Sequence, residues 1–330
     1  MQKGERNLIT DITGLRVGHA ADARLASGVT VALFDAATVA AVAVTGGGPA
    51  GRDQECLALD STVERVDAIV LSGGSSFGLD AAGGVQAFLR ERGRGLTFGQ
   101  AVVPITPQAI CFDLLNGGDK DWGRYPPYRE LGFMASEAAS RDFALGTAGA
   151  GFGATTADLK GGLGSASVIA SGGTTVGALV VVNAMGSAVV DGGPQFWAAP
   201  WEIGDEFGGL GPARRPSGAL VWKGGAPATT LALVATDAHL TKSQCRRLAI
   251  AASGGLSKGL RLAHATLDGD TVFAASTRQR TMARPAEEMI ELCALASDCV
   301  ARAIGRGVYA ATALALAGAQ PAWRDRFRPV

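Results

Sequence analysis

Four candidate features of this chain have residue types and spacing to be weighed for chemistry. The first, "GGAPATTLALVATDA" (224–238), changes from loose glycine, alanine and proline to a dense apolar strand near Thr229. A threonine hydroxyl is a poor nucleophile without a base beside it. One solution is a chain cut just before the threonine, whose freed α-amine is then the base. An α-amine titrates at about 7.7–8.0, near the working pH, where a general base is most effective. This chemistry needs no histidine, which suits a chain holding only His19, His239 and His264. Pro227 holds Ala226 extended, and the glycines before it loosen the segment, so the Ala228–Thr229 bond is presented for attack. Local sequence alone still favours an ordinary strand start.

The second stretch, "GSSFG" (74–78), fits G-x-S-x-G, in which a serine sits exposed on a sharp strand-to-helix turn. Ser76 would then need an Asp or Glu and a His downstream, and only His239 and His264 follow it. The plain alternative is a glycine-rich turn whose backbone N–H groups line a pocket. The third stretch, "LDGDT" (267–271), places Asp268 and Asp270 on the same face of an extended segment. A calcium loop would need further ligands at set spacings, which are absent. Spacing alone therefore favours a solvated turn. The fourth candidate is a pair of glycine runs. In "GGGPAGRD" (46–53), Arg52 and Asp53 stand where a phosphate loop needs Lys and Ser or Thr. "GAGFGA" (149–154) lacks the G-x-G-x-x-G spacing. Both read as structural turns, and nucleotide binding is rejected.

The elements that must position these residues follow from periodicity. "GVTVALF" (28–34), "ATVAAVAV" (37–44) and "VDAIVL" (66–71) read as strands. A helix follows "SGGSSFG", with Leu79, Ala82, Val85, Phe88 and Leu89 on one face, and a second is expected at 129–142. "SASVIASGG" and "TTVGALVVVNAMGSAVV" give two or three strands so apolar that both faces must be covered. Residues 192–228 form a long irregular stretch rich in proline and glycine, and such segments are usually functional, mobile or processed. A strand at 231–236 follows, then a helix opened by the "TKSQ" capping box of Thr241 and Gln244. After a strand at 270–277, a long helix from Pro285 aligns Met289, Leu292, Cys293, Ala296, Val300 and Ile304. Strands in groups, with helices between the groups and at the end, predict stacked sheets flanked by helices.

Composition narrows the partners. The chain has 330 residues, 47% hydrophobic and 18% charged, which fits a compact globular enzyme. Thirty basic and thirty acidic side chains cancel, so neither nucleic acid nor an anionic membrane is expected as a partner. The five cysteines form no C-x-x-C pair, so neither a zinc site nor a disulfide framework is expected. "MQKGERNLITD" lacks the apolar core of a signal peptide, and no apolar run reaches the roughly 18 residues of a membrane span. A reducing cytoplasm is the expected compartment.

Taken together, "LSGGSSFGLDAAGGV" (71–85), "VVVNAMGSAVV" (180–190), "ATTLALVATDAHLTKSQ" (228–244) and "DGDTVFAAST" (268–277) resemble the DmpA-type aminopeptidase family. That family comprises L-aminopeptidase/D-esterase-amidases, β-peptidyl aminopeptidases and nylon-oligomer hydrolases. The resemblance spans nearly the whole chain. It implies an N-terminal-nucleophile hydrolase with an α+β fold, a four-layer αββα sandwich over residues 1–330. It also implies a precursor that cuts itself into residues 1–228 and 229–330, with αβ units commonly assembled as tetramers. Thr229 matches the nucleophile and Asn183 the oxyanion-hole amide, a donor that stabilises a tetrahedral intermediate. Lys160 matches a catalytic lysine of the nylon-hydrolase branch, placed to orient Thr229 or hold its amine neutral by charge repulsion. Asp268 and Asp270 match the acidic pair of that branch; the aminopeptidase branch has Ser and Glu there. Phe112 falls where some members place a pocket tyrosine, and Ala228 where many have Asn. The resemblance makes Ser75 and Ser76 part of a cleft wall. Short peptides, β-peptides or amino-acid amides are the implied substrates, with no cofactor. The rivals are a Ser76 esterase, a silent member acting as a binding or scaffold protein, and acetyl transfer on a similar fold.

Overall fold

The computed structural model describes residues 2–327. Its framework is a long bent strand shared by two sheets. Strand β1 (Leu15–Asp22) pairs antiparallel with the first half of β2 (Ser27–Val44). The expected strands at 28–34 and 37–44 are thus one strand. It is buried along both arms and exposed only where it bends, at Asp35–Ala37, and at its last residue, Val44. The pairing of β2 with β4 (Arg65–Ser72) slips register at this bend. Beyond β4 lie β7 (Gln108–Ile110) and β3 (Gly51–Arg52), while β5 (Leu96–Phe98) and β6 (Ala101–Val103) form a separate hairpin. The second half of β2 pairs with β11 (Thr271–Arg280), and β10 (Thr229–Ala238), β9 (Thr175–Asn183) and β8 (Gly162–Ile169) follow in that order.

Alternation along these strands builds four layers. Leu231, Leu233 and Ala235 of β10 point inward and meet Leu179, Val181, Phe273, Ile69 and Phe34 in a core between the sheets. Their neighbours Ala232 and Val234 point outward and pack under α3 (Lys242–Gly259) and α4 (Pro285–Ala310). On the other outer face Val29, Val31 and Leu33 pack under α1 (Ala81–Glu91) and α2 (Tyr128–Glu137). A short α5 (Trp323–Phe327) closes the described chain. The arrangement is the αββα sandwich expected. Helix α3 starts where its capping box places it, with Thr241 Oγ1 accepting from Gln244 N–H. Helix α2 is shorter than expected, because Ser140 leaves it to exchange backbone hydrogen bonds with Val17 at 2.9 and 3.1 Å. Among the described residues no helix is long and apolar enough to cross a membrane.

Helix α4 lies so close to the sheet that only glycine fits beneath it at one point. A Cβ on Gly164 of β8 would stand 1.7 Å from the Ala303 carbonyl oxygen. Gly164→Ala is expected to destabilise the fold by about 3 kcal/mol, the upper range for overpacking a core. A denaturant melt showing no loss would contradict this layer contact.

Residues 192–228 are irregular apart from one 3-10 turn at Ala199–Trp201, but they are pinned. Arg302, 1% exposed on α4, makes a two-pronged pair with Glu206 at 2.6 and 2.9 Å. Asn7 adds a third hydrogen bond to that carboxylate, at 2.6 Å.

Candidate active site

Thr229 is the first residue of β10 and stands opposite Asn183, the last residue of β9. Both are buried. The Thr229 hydroxyl donates to the Ala228 carbonyl at 2.5 Å, so it rests on the bond expected to break. The same carbonyl accepts the Gly269 N–H at 2.9 Å. Two donors on one carbonyl oxygen draw electron density from its carbon and favour attack there. Ala228 is held in turn by its N–H to the Leu267 carbonyl, 3.1 Å. The last residue before Thr229 is thus zipped onto the loop carrying the two aspartates.

That loop is not a solvated turn, as spacing alone suggested; Asp268 and Asp270 are each 1% exposed. The reason lies elsewhere in the sequence. Gly46, Gly47 and Gly48 donate their N–H groups to the carbonyls of Asp270, Ala265 and Asp268, and so cover the loop. This also disposes of "GGGPAGRD" as a phosphate cradle, since its donors are consumed. The Asp270 carboxylate accepts Thr230 N–H at 2.8 Å on one oxygen and His264 N–H at 2.8 Å on the other. The His264 ring Nδ1 lies 3.2 Å from that second oxygen, and this hydrogen bond holds the imidazole pKa above its usual value. Asp268 Oδ2 accepts Ala265 N–H at 2.9 Å, while its buried Oδ1 has no well-aligned hydrogen-bond partner among the described residues, although the Met185 N–H faces the carboxylate and favours its charge.

Burial, and then the charge of Asp270, push the Asp268 carboxyl up to about 6. A folded pKa raised above the unfolded value means that the folded chain binds the proton more tightly. This group's contribution to stability therefore falls as pH rises from about 4 to about 6, by at most about 3 kcal/mol. Asp268→Asn keeps the acceptor for Ala265 and removes the charge. In a Thr229→Ala background it is expected to gain up to about 3 kcal/mol above pH 6 and nothing near pH 4. Urea melts across that range measure the difference, and parallel curves would contradict the assignment.

On the other side of Thr229, the Asn183 side chain donates from Nδ2 to the Phe112 carbonyl at 2.8 Å. Its Oδ1 accepts Thr155 N–H at 3.0 Å and the Lys223 ammonium at 3.2 Å. Lys223 also donates to the Thr155 carbonyl at 2.8 Å. Beside this cluster opens a pocket of about 270 Å³ lined by Phe112, Asp113, Leu115, Thr155, Lys223 and Pro227 among others. Burial lowers Lys223 to about 8 against the pull of Cys111, Asp268 and Asp113. Sequence reasoning missed Lys223. Its signal was a lone lysine in the irregular stretch, six residues ahead of Thr229. It missed His264 as a partner of Asp270 as well.

Lys160 is buried, and its ammonium donates to the carbonyls of Gly151, Ala154 and Gly161 at 2.9, 2.8 and 3.0 Å. It makes no hydrogen bond to Thr229. "GAGFGA" therefore turns carbonyls toward a cation, the reverse of a phosphate loop. Burial lowers the Lys160 pKa to about 7.

Ser75 and Ser76 lie on a 3-10 turn, Ser75–Asp80, that backs onto Cys111 and Asp113 through hydrogen bonds from Ser75 N–H and Gly74 N–H. Neither lines the pocket of about 270 Å³. Ser76 is exposed, and no histidine reaches it. His19 bonds Thr30, His239 bonds Arg278, and His264 bonds Asp270. A Ser76 triad is not assembled.

Two stacked sheets between helix layers, with a threonine opening a central strand, define the class as hydrolases of the N-terminal-nucleophile fold. A solved structure of this fold, the L-aminopeptidase D-Ala-esterase/amidase of Ochrobactrum anthropi, matches with a TM-score of 0.68 at 19% identity, covering 94% of this chain and 88% of that one. Within that class the chain belongs to peptidase family S58, whose match spans residues 7–320. It is 40% identical to an uncharacterized aminopeptidase of Mycobacterium bovis, over 97% of this chain and 98% of the relative. It is also similar to the 6-aminohexanoate-oligomer endohydrolase of Kocuria sp., at 27% identity over 83% of this chain and 76% of the relative. The DmpA-type resemblance read from the sequence stands, and the protein is a hydrolase acting on peptide bonds.

Proposed function

We propose that the chain cuts itself between Ala228 and Thr229 and then works as an aminopeptidase or amidase through a Thr229 acyl-enzyme. Its substrates are short peptides, β-peptides, or amino-acid amides and esters. The observation that carries this reading is the Thr229 hydroxyl resting on an Ala228 carbonyl already polarised by Gly269 N–H. In self-cleavage Oγ1 bonds to the Ala228 carbonyl carbon, and its proton passes to the Thr229 nitrogen as the C–N bond breaks. The Thr229 amine is free once that bond breaks; water then hydrolyses the ester, releasing the Ala228 carboxylate and restoring the Thr229 hydroxyl. The unpartnered Oδ1 of Asp268 is the buried acceptor available to that amine.

In turnover the amine takes the Oγ1 proton as the hydroxyl attacks the substrate carbonyl, and delivers it to the leaving amine. The second N–H of Asn183 Nδ2 stabilises the oxyanion. Water releases the acyl group. Lys160 belongs to the same proposal through its charge, which disfavours protonation of the new amine. Assembly of αβ units into an oligomer is part of it too; Leu220, Trp222 and Leu267 offer exposed apolar surface close to the cut.

Purified protein is expected to give two bands on a denaturing gel, the smaller beginning at Thr229. A single full-length band after prolonged incubation would favour a silent, binding role. Ser76→Ala is expected to cut itself and to hydrolyse amides within about threefold of wild type, as a surface change should. Loss of ester hydrolysis in that variant alone would hand the reaction to Ser76.

A further inference from the structure

An asparagine can act as an oxyanion donor only if its amide is held the right way round, because its two ends differ by donor and acceptor. Asn183 Oδ1 faces two donors, Thr155 N–H at 3.0 Å and the Lys223 ammonium at 3.2 Å. Flipping the amide would set its NH₂ against both of them. Neither the ammonium nor the backbone N–H can accept, so each holds the amide in this orientation, and only the ammonium adds a charge. With Oδ1 fixed, Nδ2 spends one proton on the Phe112 carbonyl at 2.8 Å and keeps the other free. A cation on the amide oxygen also polarises the amide and strengthens that free N–H as a donor.

We propose that Lys223 is the positioning residue of the oxyanion hole, locking and polarising Asn183 from the segment that becomes the tail of the first chain after the cut. This rests on the function proposed above. The tail has anchors of its own that do not depend on the bond to Thr229. Lys223 N–H donates to the Met185 carbonyl at 3.0 Å. Further back, Ser217 bonds both oxygens of Asp191 at 2.6 and 2.7 Å. Severing the Ala228–Thr229 bond leaves these contacts in place, so the lysine stays on Asn183 in the mature enzyme. The charged and titratable groups facing Lys223 are Asp268, Asp113, Cys111 and Lys160.

The test is a double-mutant cycle in the full-length protein: Lys223→Met, Asn183→Ala, the pair together, and Lys223→Arg. Hydrolysis of L-alanine p-nitroanilide is measured per cut enzyme, and the half-life of the full-length band is followed alongside. Lys223→Met is expected to lower kcat about 30-fold, a part of what a lost oxyanion donor costs, with KM within about twofold. Lys223→Arg is expected to restore kcat to within about threefold of wild type. In the Asn183→Ala background, Lys223→Met should add less than about a further twofold, since the two act as one unit. An unchanged kcat in Lys223→Met, a rise in KM alone, or full additivity with Asn183→Ala overturns the proposal. If Lys223→Met remains uncut, the half-lives of the four chains are judged by the same rule of additivity. A wild-type chain that neither cuts nor hydrolyses sinks the underlying function together with this inference, whereas an active wild type beside an unimpaired Lys223→Met sinks the inference alone.

Discussion

Thr229→Ala is expected to run as a single full-length chain under conditions that split the wild type completely. Amide hydrolysis should fall by at least about 10⁴-fold, the scale on which hydrolases lose activity when the nucleophile is removed. The substitution deletes the hydroxyl that rests 2.5 Å from the Ala228 carbonyl oxygen and leaves the strand pairing with Asn183 intact. Without the cut there is also no free α-amine, so nucleophile and base vanish together. Thr229→Ser retains the oxygen and is expected to cut and to turn over within about tenfold of wild type. The pair separates chemistry from packing, because serine loses the same methyl group that alanine loses. A Thr229→Ala chain that still yields two bands ending and beginning at residues 228 and 229 would remove Thr229 from the mechanism.

Gly269→Ala carries the second large effect. A Cβ at this position would stand 2.6 Å from Thr229 Oγ1 and 3.0 Å from the Gly48 carbonyl oxygen. The Gly48 backbone is tied to Asp268 by a 2.7 Å hydrogen bond, so the hydroxyl is the partner that must move. Displacing a nucleophile by about 1 Å costs about 100-fold in rate, and self-cleavage should slow by at least that factor. Thermal stability should change less, since the shortest contact is with a side chain that can rotate, while the Gly48 carbonyl need give by only a few tenths of an ångström. Time courses of the full-length band, compared with melting curves of the same samples, measure both quantities. A normal rate of cutting would mean that the hydroxyl attacks from a different rotamer.

The layered fold was legible because its cause is local. Apolar runs such as "LVVVN" on β9 and "LALVA" on β10 have no polar face, so both sides need cover, and helices with one apolar face supply it. The junction at Thr229 was legible for a similar reason, since proline and glycine end abruptly where the apolar strand begins. The bend in β2 was not, because the residues read as two strands, 28–34 and 37–44, and nothing local says that one strand continues into a second sheet. Burial of Asp268 and Asp270 was equally hidden from spacing. It comes from Gly46–Gly48, more than two hundred residues away in the chain. Lys223 lay beyond reach for the same reason. Its role depends on meeting Asn183 and Thr155, which no periodicity connects to it.

The order of strands has a mechanical consequence for a chain severed at residue 228. Among the described residues from that point onward the second piece would supply two strands, β10 and β11, and these lie between β9 and β2 of the first piece. Each piece therefore closes the other's sheet like the two halves of a zip, with backbone ladders along both seams. Neither can leave without stripping two rows of hydrogen bonds and baring both apolar faces at once. A molecule parted there would survive by being slow to come apart, having given up the covalent link that brought its strands into register in the first place.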